Sequence, residues 1–465
     1  MAKIYPFRAL RYDPTRVELE DVVTQPYDKI TPEMQQAYYD RSPYNLIRVI
    51  LGKKEPADDD AHNVYTRAAQ TLQSFRAEGI LKEEAEPALY GYSQTYQVPG
   101  TDEVRERRGF IALGHLYDYA DHVVYRHEQT FPKHKSDRLA LFKATRAYCE
   151  QIYMLYADPA FTAEKLIFGT DQMGTTTPAD LAITDEYDVV HRLWKLTDPT
   201  LINLILTAMA DKKLIIADGH HRYETSVTYS RERAAELGHT PANEHEDVSP
   251  SNAADEGHPL LPKPPYPEAA MMMTFVNMEA PGITILPTHR VVFGLKDFSP
   301  KAFLTAAEAF FTITPSVGHS VAQLTGTEGT AMLAVMRDQT SGELFHHLLK
   351  ARPEAMARAL ADISPRKAQL DVVQLHRILL EHLLNLSHES IARLDNIRYI
   401  RSADEAAQQV EDGKADIAFL IKPVTLEQFK DISLNLEVMP QKSTDFYPKL
   451  LSGLAIYALD EHFES

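Results

Sequence analysis

Hydrophobic and polar positions alternate along this chain with two different periods, and the switches between them predict mixed α and β structure. Residues 44–51 (YNLIRVIL) read as a strand. Residues 58–79 repeat their apolar positions at helical spacing, with acids at the positive end and Gly79 as the stop. Residues 89–98 and 108–117 are rich in aromatic and β-branched side chains and flank a polar Pro-Gly-Thr-Asp-Glu turn, which predicts a hairpin. Ser136 and Asp137 are placed to cap a helix running to about Cys149, and 151–156 reads as a buried strand bounded by Asp158 and Pro159. A further strand region spans 181–196. Asp198 and Pro199 open a helix that reaches Ala210, and 212–217 returns to strand.

From 238 to 268 the chain fills with Pro, Gly, Asn, His and acids and loses apolar periodicity, so a flexible insertion is expected there. A strand is predicted over 270–277, then a β and α alternation: helix 300–310, strand 331–336, helix 370–385, strand 415–421. The expected domain boundary lies near residue 297, giving an N-terminal domain over 1–297 and a smaller α/β domain over 298–465. No internal repeat is visible.

Composition narrows the function classes. The 465 residues exceed the usual size of one hydrophobic core, and 44% hydrophobic with 25% charged residues is the balance of an ordinary soluble globular protein. The net charge of -18 repels a nucleic-acid backbone, so no nucleic-acid partner is expected. No window approaches 18 uninterrupted apolar residues, so no membrane role is expected. The single cysteine, Cys149, cannot form an internal disulfide, and the start MAKIYPFRAL lacks a secretory apolar run; a cytoplasmic setting is expected.

Candidate chemistry concentrates at residues 214–222, LIIADGHHR. An apolar strand ending in Asp218 and Gly219 and running into a helix presents the first helical amides and the helix dipole to an anion. Gly219 lets backbone approach a ligand closely. His220, His221 and Arg222 add side-chain donors at the same pole, and a guanidinium can grip two phosphate oxygens. The competing reading is a helix capped by His220 and His221, with Arg222 paired to Glu224. Adjacent histidines diverge on a helix, which disfavours zinc.

Residues 126–138, RHEQTFPKHKSDR, are too charged for a core, and Pro132 argues for a loop. Here Glu128 and His127 can act as acid or base, while Lys133, Lys135 and Arg138 can hold phosphate; a solvated loop is the alternative. Asp28, in TQPYD, can serve a metal, a ribose or a substrate amine. His289 and Arg290 follow Pro287 and Thr288 as a further anion or catalytic candidate, or as a capped turn. Lys442 and Ser443, in MPQKSTDFYPKL, again suit phosphate, or a rigid surface turn. There is no GxxxxGK[ST] loop, no GxGxxG after a strand and no CxxC pair.

Taken together, YPFRALRYDP, QPYDKI, RHEQTFPKHKSDRL, ADGHHRYETS, LPTHRVV and MPQKSTDFYPKL closely resemble the prokaryotic family known as domain of unknown function 1015. The resemblance runs almost end to end. More distantly, the DGHHR turn is similar to the phosphate-binding turn of the ParB and sulfiredoxin superfold, whose members include CTP-binding partition proteins, ATP-using sulfiredoxins and free-serine kinases. That resemblance implies a ParB/sulfiredoxin-like N-terminal domain with a mixed sheet. It implies nucleotide-phosphate contacts at Asp218, Gly219, His220, His221 and Arg222, and a catalytic base at Asp28, Glu128 or Asp218.

The leading expectation is phosphoryl transfer or phosphate-ester chemistry on a small metabolite, because such chemistry needs positioned cations and amides more than a covalent nucleophile. ATP, ADP or another nucleotide is the expected cofactor, with Mg2+ held by Asp28 or Glu128. Serine or phosphoserine as substrate rests on the resemblance to serine kinases, and kinase and phosphatase directions are both open. Two alternatives stand beside it: a nucleotide-binding switch or adaptor without substantial turnover, and a metal-dependent hydrolase built on His127, His220, His221 and His289.

Overall fold

A computed structural model describes residues 1–128, 132–169, 178–239 and 261–459, with the side chains of 132–134 outside the described set. The chain forms two compact units. The first takes Met1–Tyr125, Thr130–Ile283 and Pro448–Ser465; the second takes Arg126–Gln129 and Thr284–Tyr447. Packing therefore divides the chain elsewhere than near residue 297. Strands Thr284–Leu286 and His289–Val292 pair with Asp445–Tyr447, Ile397–Ile400 and Ile417–Ile421, which ties residues 284–296 to the C-terminal part of the chain.

The first unit is built on a mixed sheet. Among the described residues its order is Val124–Tyr125, Leu214–Asp218, Ile152–Tyr156, Ala270–Asn277, Val104–His115, Leu89–Gln97, Val190–Leu196 and Leu181–Thr184, with Ile4–Tyr5 also on Val104–His115. Two pairings are parallel, Leu214–Asp218 on Val124–Tyr125 and Ala270–Asn277 on Ile152–Tyr156; the rest are antiparallel. The central strands Ile152–Tyr156 and Ala270–Asn277 are buried along their whole length. Such strands read as continuous apolar runs rather than alternations, which is why IYMLY and AMMMTFV are legible as strands. Helix His220–Leu237 packs on helix Pro132–Thr145, which packs on helix Val64–Ala77.

The hairpin predicted from 89–98 and 108–117 forms as Leu89–Gln97 and Val104–His115, paired from Tyr90↔Ile111 to Gln97↔Val104. The helix opened by Asp198 runs Pro199–Met209, its cap side chain accepting from Thr200 N. The strand expected at 44–51 is instead a helical turn, Ile47–Ile50. Asn45 forces it: its side chain accepts from Ile47 N at 2.9 Å and donates to Asp21 O and Val23 O. A short run buried on all sides has no period to betray its conformation. The expected helix at 58–79 starts only at Val64, because Asp59 folds 59–62 into a turn by accepting from the amides of Ala61 and His62.

Most of the expected insertion, residues 240–260, lies outside the described residues. Its C-terminal end is not exposed: Tyr266 and Glu268 are buried, and Glu268 pairs with Arg146 and Arg233, each at 3.1 Å.

The second unit carries a sheet in the order Phe311–Pro315, Leu344–Ala351, Ala331–Arg337, Ile417–Ile421, His289–Val292 and Ile397–Ile400, antiparallel throughout. Helix Ala403–Glu411 covers one face and buries Ala406, Ala407 and Val410 there. No helix among the described residues is long and apolar enough to cross a membrane.

Candidate functional site

Strand Leu214–Asp218 ends in the first unit with four buried residues followed by the partly exposed Asp218. Its register against Ile152–Tyr156 shifts between Ile216 and Asp218, an irregularity of the kind that re-aims a strand end. Gly219 follows at φ 96°, in the left-handed region, and helix His220–Leu237 begins at once. A Cβ at Gly219 would also stand 3.3–3.4 Å from the Arg222 guanidinium, a close contact that adds to the demand of the positive φ for glycine. The cap residue Gly219 has no side chain to offer the first helical amides, and Tyr223 N donates to Gly219 O at 2.9 Å.

Arg222 points inward rather than to solvent. Its NH1 donates to Gln151 O and lies 4.0 Å from Glu150 Oε1, and its NH2 lies 4.0 Å from Asp218 Oδ2. Burial lowers its pKa, but Glu150, Asp218 and Asp28 more than restore it, so the guanidinium is held charged. Glu150 is buried beneath it, accepts from Tyr27 N at 3.0 Å and lies 3.7 Å from Arg138 NH1. Burial pushes the Glu150 carboxyl up, against the pull of Arg222 and Arg138. Arg138 lies over the Tyr27 ring at 4.1 Å, donates to Ile50 O at 2.7 Å and holds Asp137 at 2.7 Å. Asp28 sits close enough for its charge to act on Glu150, Arg222 and Tyr27.

A further cation reaches the turn from the far end of the chain. Lys449 Nζ stands 3.7 Å from Asp218 Oδ2 with its side chain almost wholly buried. Its backbone is fixed because Lys449 O accepts from Gln94 Nε2 at 2.8 Å and Pro448 O accepts from Arg107 at 2.6 Å. Arg107 is itself buried, with its guanidinium 4.6 Å from the centre of the Tyr153 ring.

The sequence candidates thus fall into two sets. Asp28, Arg138 and residues 218–222 gather in the first unit. Lys135 is there too, paired with Glu224 one turn into the helix, so Glu224 is not the partner of Arg222. The side chain of Lys133 lies outside the described residues. His127, Glu128, His289, Arg290, Lys442 and Ser443 belong to the second unit.

There, His127 Nε2 bonds Thr444 Oγ1 at 2.7 Å and lies 3.7 Å from Glu128 Oε1. Arg290 is fully buried and donates to Thr288 O, to Lys442 O at 3.1 Å and to Gln441 O at 3.3 Å. Burial pushes its pKa down to about 10, opposed by Tyr399 and Glu128. His289 Nδ1 accepts from Ile421 N at 3.2 Å, and burial with Arg290 lowers its pKa to about 4. Ser443 Oγ donates to Pro440 O. The 440–443 turn thus meets Arg290 through its carbonyls.

Among the described residues no group of three or more His, Cys, Asp or Glu is arranged to hold a metal ion. The residues that sequence reasoning did not single out are Glu150, Gln151 and Tyr27; Arg107 stands out in the sequence only as part of the basic cluster with Arg105 and Arg108. Glu150 had one signal, an acid two residues before the buried strand Ile152–Tyr156. Lys449 lies within the MPQKSTDFYPKL stretch but after its second proline.

Comparison with known proteins finds likeness at two levels. Among solved structures, the chain is similar to a C-terminally truncated SbnI from Staphylococcus aureus, at 10% identity and a TM-score of 0.35, covering 76% of this chain and 90% of that one. It is similar to a free serine kinase variant in complex with ADP, at 12% identity and a TM-score of 0.32, covering 76% and 92%. It is also similar to a conserved hypothetical protein from Pyrococcus furiosus, at 11% identity and a TM-score of 0.31, covering 70% and 87%. At that level these structures carry no weight for activity. No curated protein matches the chain. The profile of the family described as "Protein of unknown function (DUF1015)" matches residues 4–373, a span that holds the Gly219 turn and its bracing acid, and the chain belongs to that family.

Proposed function

We propose that the turn at 218–222 binds a phosphate group, and that the protein carries out phosphoryl transfer or phosphate-ester chemistry on a small metabolite with a nucleotide as its phosphate-bearing partner. The observation that carries this reading is the strand, left-handed Gly219 and the 18-residue helix that begins directly after it, with Lys449 beside the turn. The positive pole of such a helix, with backbone that only glycine allows close to a ligand, is suited to an anion. His220, His221 and Lys449 supply the remaining donors. Arg222 acts from behind, locking the turn to Gln151 and Glu150.

Asp28 acts by its charge within this cluster beside Glu150 and Asp218, and it takes the role of acid or base at the phosphate. Phosphate-bound magnesium needs one or two protein carboxylates, which Asp28 fits, and it would screen the phosphate charge. Glu128 and His127 keep a catalytic role as a second proposal, tested separately by Glu128→Gln. Serine or phosphoserine is the substrate to try first.

The test is thermal unfolding of the full chain with ATP, ADP, phosphoserine and inorganic phosphate, with and without magnesium. A ligand that binds only the native state raises its stability. A nucleotide or phosphoserine should raise the melting temperature, and Lys449→Met should remove that rise. Absence of a shift from every phosphate compound refutes the reading. Asp28→Asn should abolish phosphate release or transfer while leaving the thermal shift intact.

A further inference from the structure

In the TQPYD stretch Asp28 is exposed, whereas Gln25, three residues earlier, is only 3% exposed. A polar side chain buried that deeply is held by specific partners. Gln25 Nε2 donates to Asp185 Oδ2 at 3.1 Å, across 160 positions of sequence. Gln25 N donates to the Tyr38 hydroxyl at 3.2 Å, and that hydroxyl donates to Glu186. Two adjacent residues of one turn therefore hold Gln25, Asp185 by its side chain and Glu186 through Tyr38.

That turn joins the paired strands Leu181–Thr184 and Val190–Leu196, and the Asp185 carboxylate is its centre. Asp185 Oδ1 accepts from Tyr187 N at 2.9 Å and from Val189 N at 3.0 Å. Its Oδ2 accepts from His191 Nε2 at 3.1 Å as well as from Gln25, and His191 Nδ1 bonds the Tyr92 hydroxyl at 2.7 Å. His191 and Tyr92 are buried on neighbouring strands of the main sheet. Burial raises the Asp185 pKa, but His191 and the two amides outweigh it and hold the carboxyl below its ordinary range. Four donors thus converge on one carboxylate, three from its own hairpin and one from a distant loop. A buried polar network whose members are all bonded is rigid.

The path from Gln25 to Asp28 is stiff. Proline fixes its own φ, and Pro26 stands at −58°. Tyr27–Lys29 closes a 3-10 turn, in which Lys29 N donates to Pro26 O at 2.9 Å. Tyr27 N is held by Glu150, and Thr24, on the other side, exchanges backbone bonds with Ser452. A shift of Gln25 is therefore passed on to Asp28 rather than absorbed between them.

We propose that Asp185 is a positioning residue for Asp28: through Gln25 it sets where the Asp28 carboxylate stands, with His191 and Tyr92 holding Asp185 in turn. Reacting groups on loops need such a rigid support, because small misplacements cost rate. The proposal rests on the reading of Asp28 as the acid or base at the phosphate.

An exchange of roles tests it on the full chain. Gln25→Glu sets carboxylate against carboxylate, whereas Gln25→Glu combined with Asp185→Asn restores one donor facing one acceptor, and His191 follows by changing its tautomer. Amide hydrogen exchange over residues 27–30 reads the hold on the loop with no substrate present. Gln25→Glu should speed exchange there at least tenfold and leave residues 89–97 unchanged, and the double variant should return it to within threefold of the native rate. Gln25→Met, which buries no charge, should also speed it and keeps the test if Gln25→Glu does not fold. In turnover of a phosphate compound kcat should fall at least tenfold in Gln25→Glu and recover in the double variant, with KM within threefold throughout. Native exchange rates in the single variants, no recovery in the double variant, or faster exchange with native kcat overturns the proposal. A native chain without turnover on any phosphate compound refutes the reading of Asp28 instead, and hydrogen exchange then still decides whether Asp185 holds the loop.

Discussion

At the scale of single residues, the turn depends on Gly219 more than on any charged neighbour. Its φ of 96° is strained for other residues, and a Cβ there would press on the Arg222 guanidinium at 3.3–3.4 Å. Gly219→Ala should therefore cost about 1–3 kcal/mol, read as a lower urea midpoint from the fluorescence of the single tryptophan, Trp194, and should abolish any thermal shift from phosphate compounds. His289 sets a pH dependence in the second unit. Its folded pKa of about 4 lies below the ordinary 6.5, so between those values the unfolded chain binds the extra proton and the folded chain does not. Stability should rise with pH across that window and fall on acidification from about pH 6.5 to pH 4, by on the order of 3 kcal/mol. His376, also lowered by burial, acts in the same sense. Calorimetry at pH 7 and pH 5 should show about 2 kcal/mol of this loss, and His289→Asn should reduce it; an equal loss in that variant would remove His289 from the account.

At the scale of elements, caps and turns determine where helices begin. Helix Val64–Ala77 starts at a reciprocal cap: the Asn63 side chain accepts from Thr66 N, and the Thr66 hydroxyl accepts from Asn63 N. Asn63→Ala should cost about 1 kcal/mol, measured as a lower midpoint in the same Trp194 assay. Elements with a clear period or a clear cap were legible in the sequence, as with the hairpin around residues 99–103 and the helix after Asp198. The turn at Ile47–Ile50 was not, because its conformation comes from the side chain of Asn45 reaching two carbonyls more than twenty residues away in sequence. The π-helical stretch Leu375–Leu383 reads as an ordinary amphipathic helix for a related reason: periodicity reports the buried face, and is nearly blind to one residue of extra winding.

At the scale of the whole molecule, residues 448–459 complete the first unit. Leu451, Leu454, Ile456 and Leu459 are buried, Ile456 exchanges backbone bonds with Leu10, and Tyr457–Ala458 pairs with Ala147–Tyr148. Each large apolar side chain lost from a core costs about 2–5 kcal/mol, so their joint removal should exceed the ~5–15 kcal/mol that holds a typical domain. A chain ending at Tyr447 should show red-shifted Trp194 emission and no cooperative transition from that probe. Native-like emission would mean that the first unit folds without this segment.

The sequence by itself determined the mixed α and β character, the buried central strands, and the strand, glycine and helix order of the DGHHR turn. Each is encoded locally, by period, by capping residues or by a backbone conformation that only glycine accepts. The tertiary structure alone decided which charges stand together. Lys449 reaches Asp218 because the chain returns to the first unit after the second is complete, and Glu150 lies under Arg222 because two neighbouring strands end side by side. Glu128, Arg290 and Lys442 belong to the second unit, where Arg290 is engaged with backbone carbonyls. Electrostatic partnership is set by distance in space, and no local pattern of residues encodes that distance.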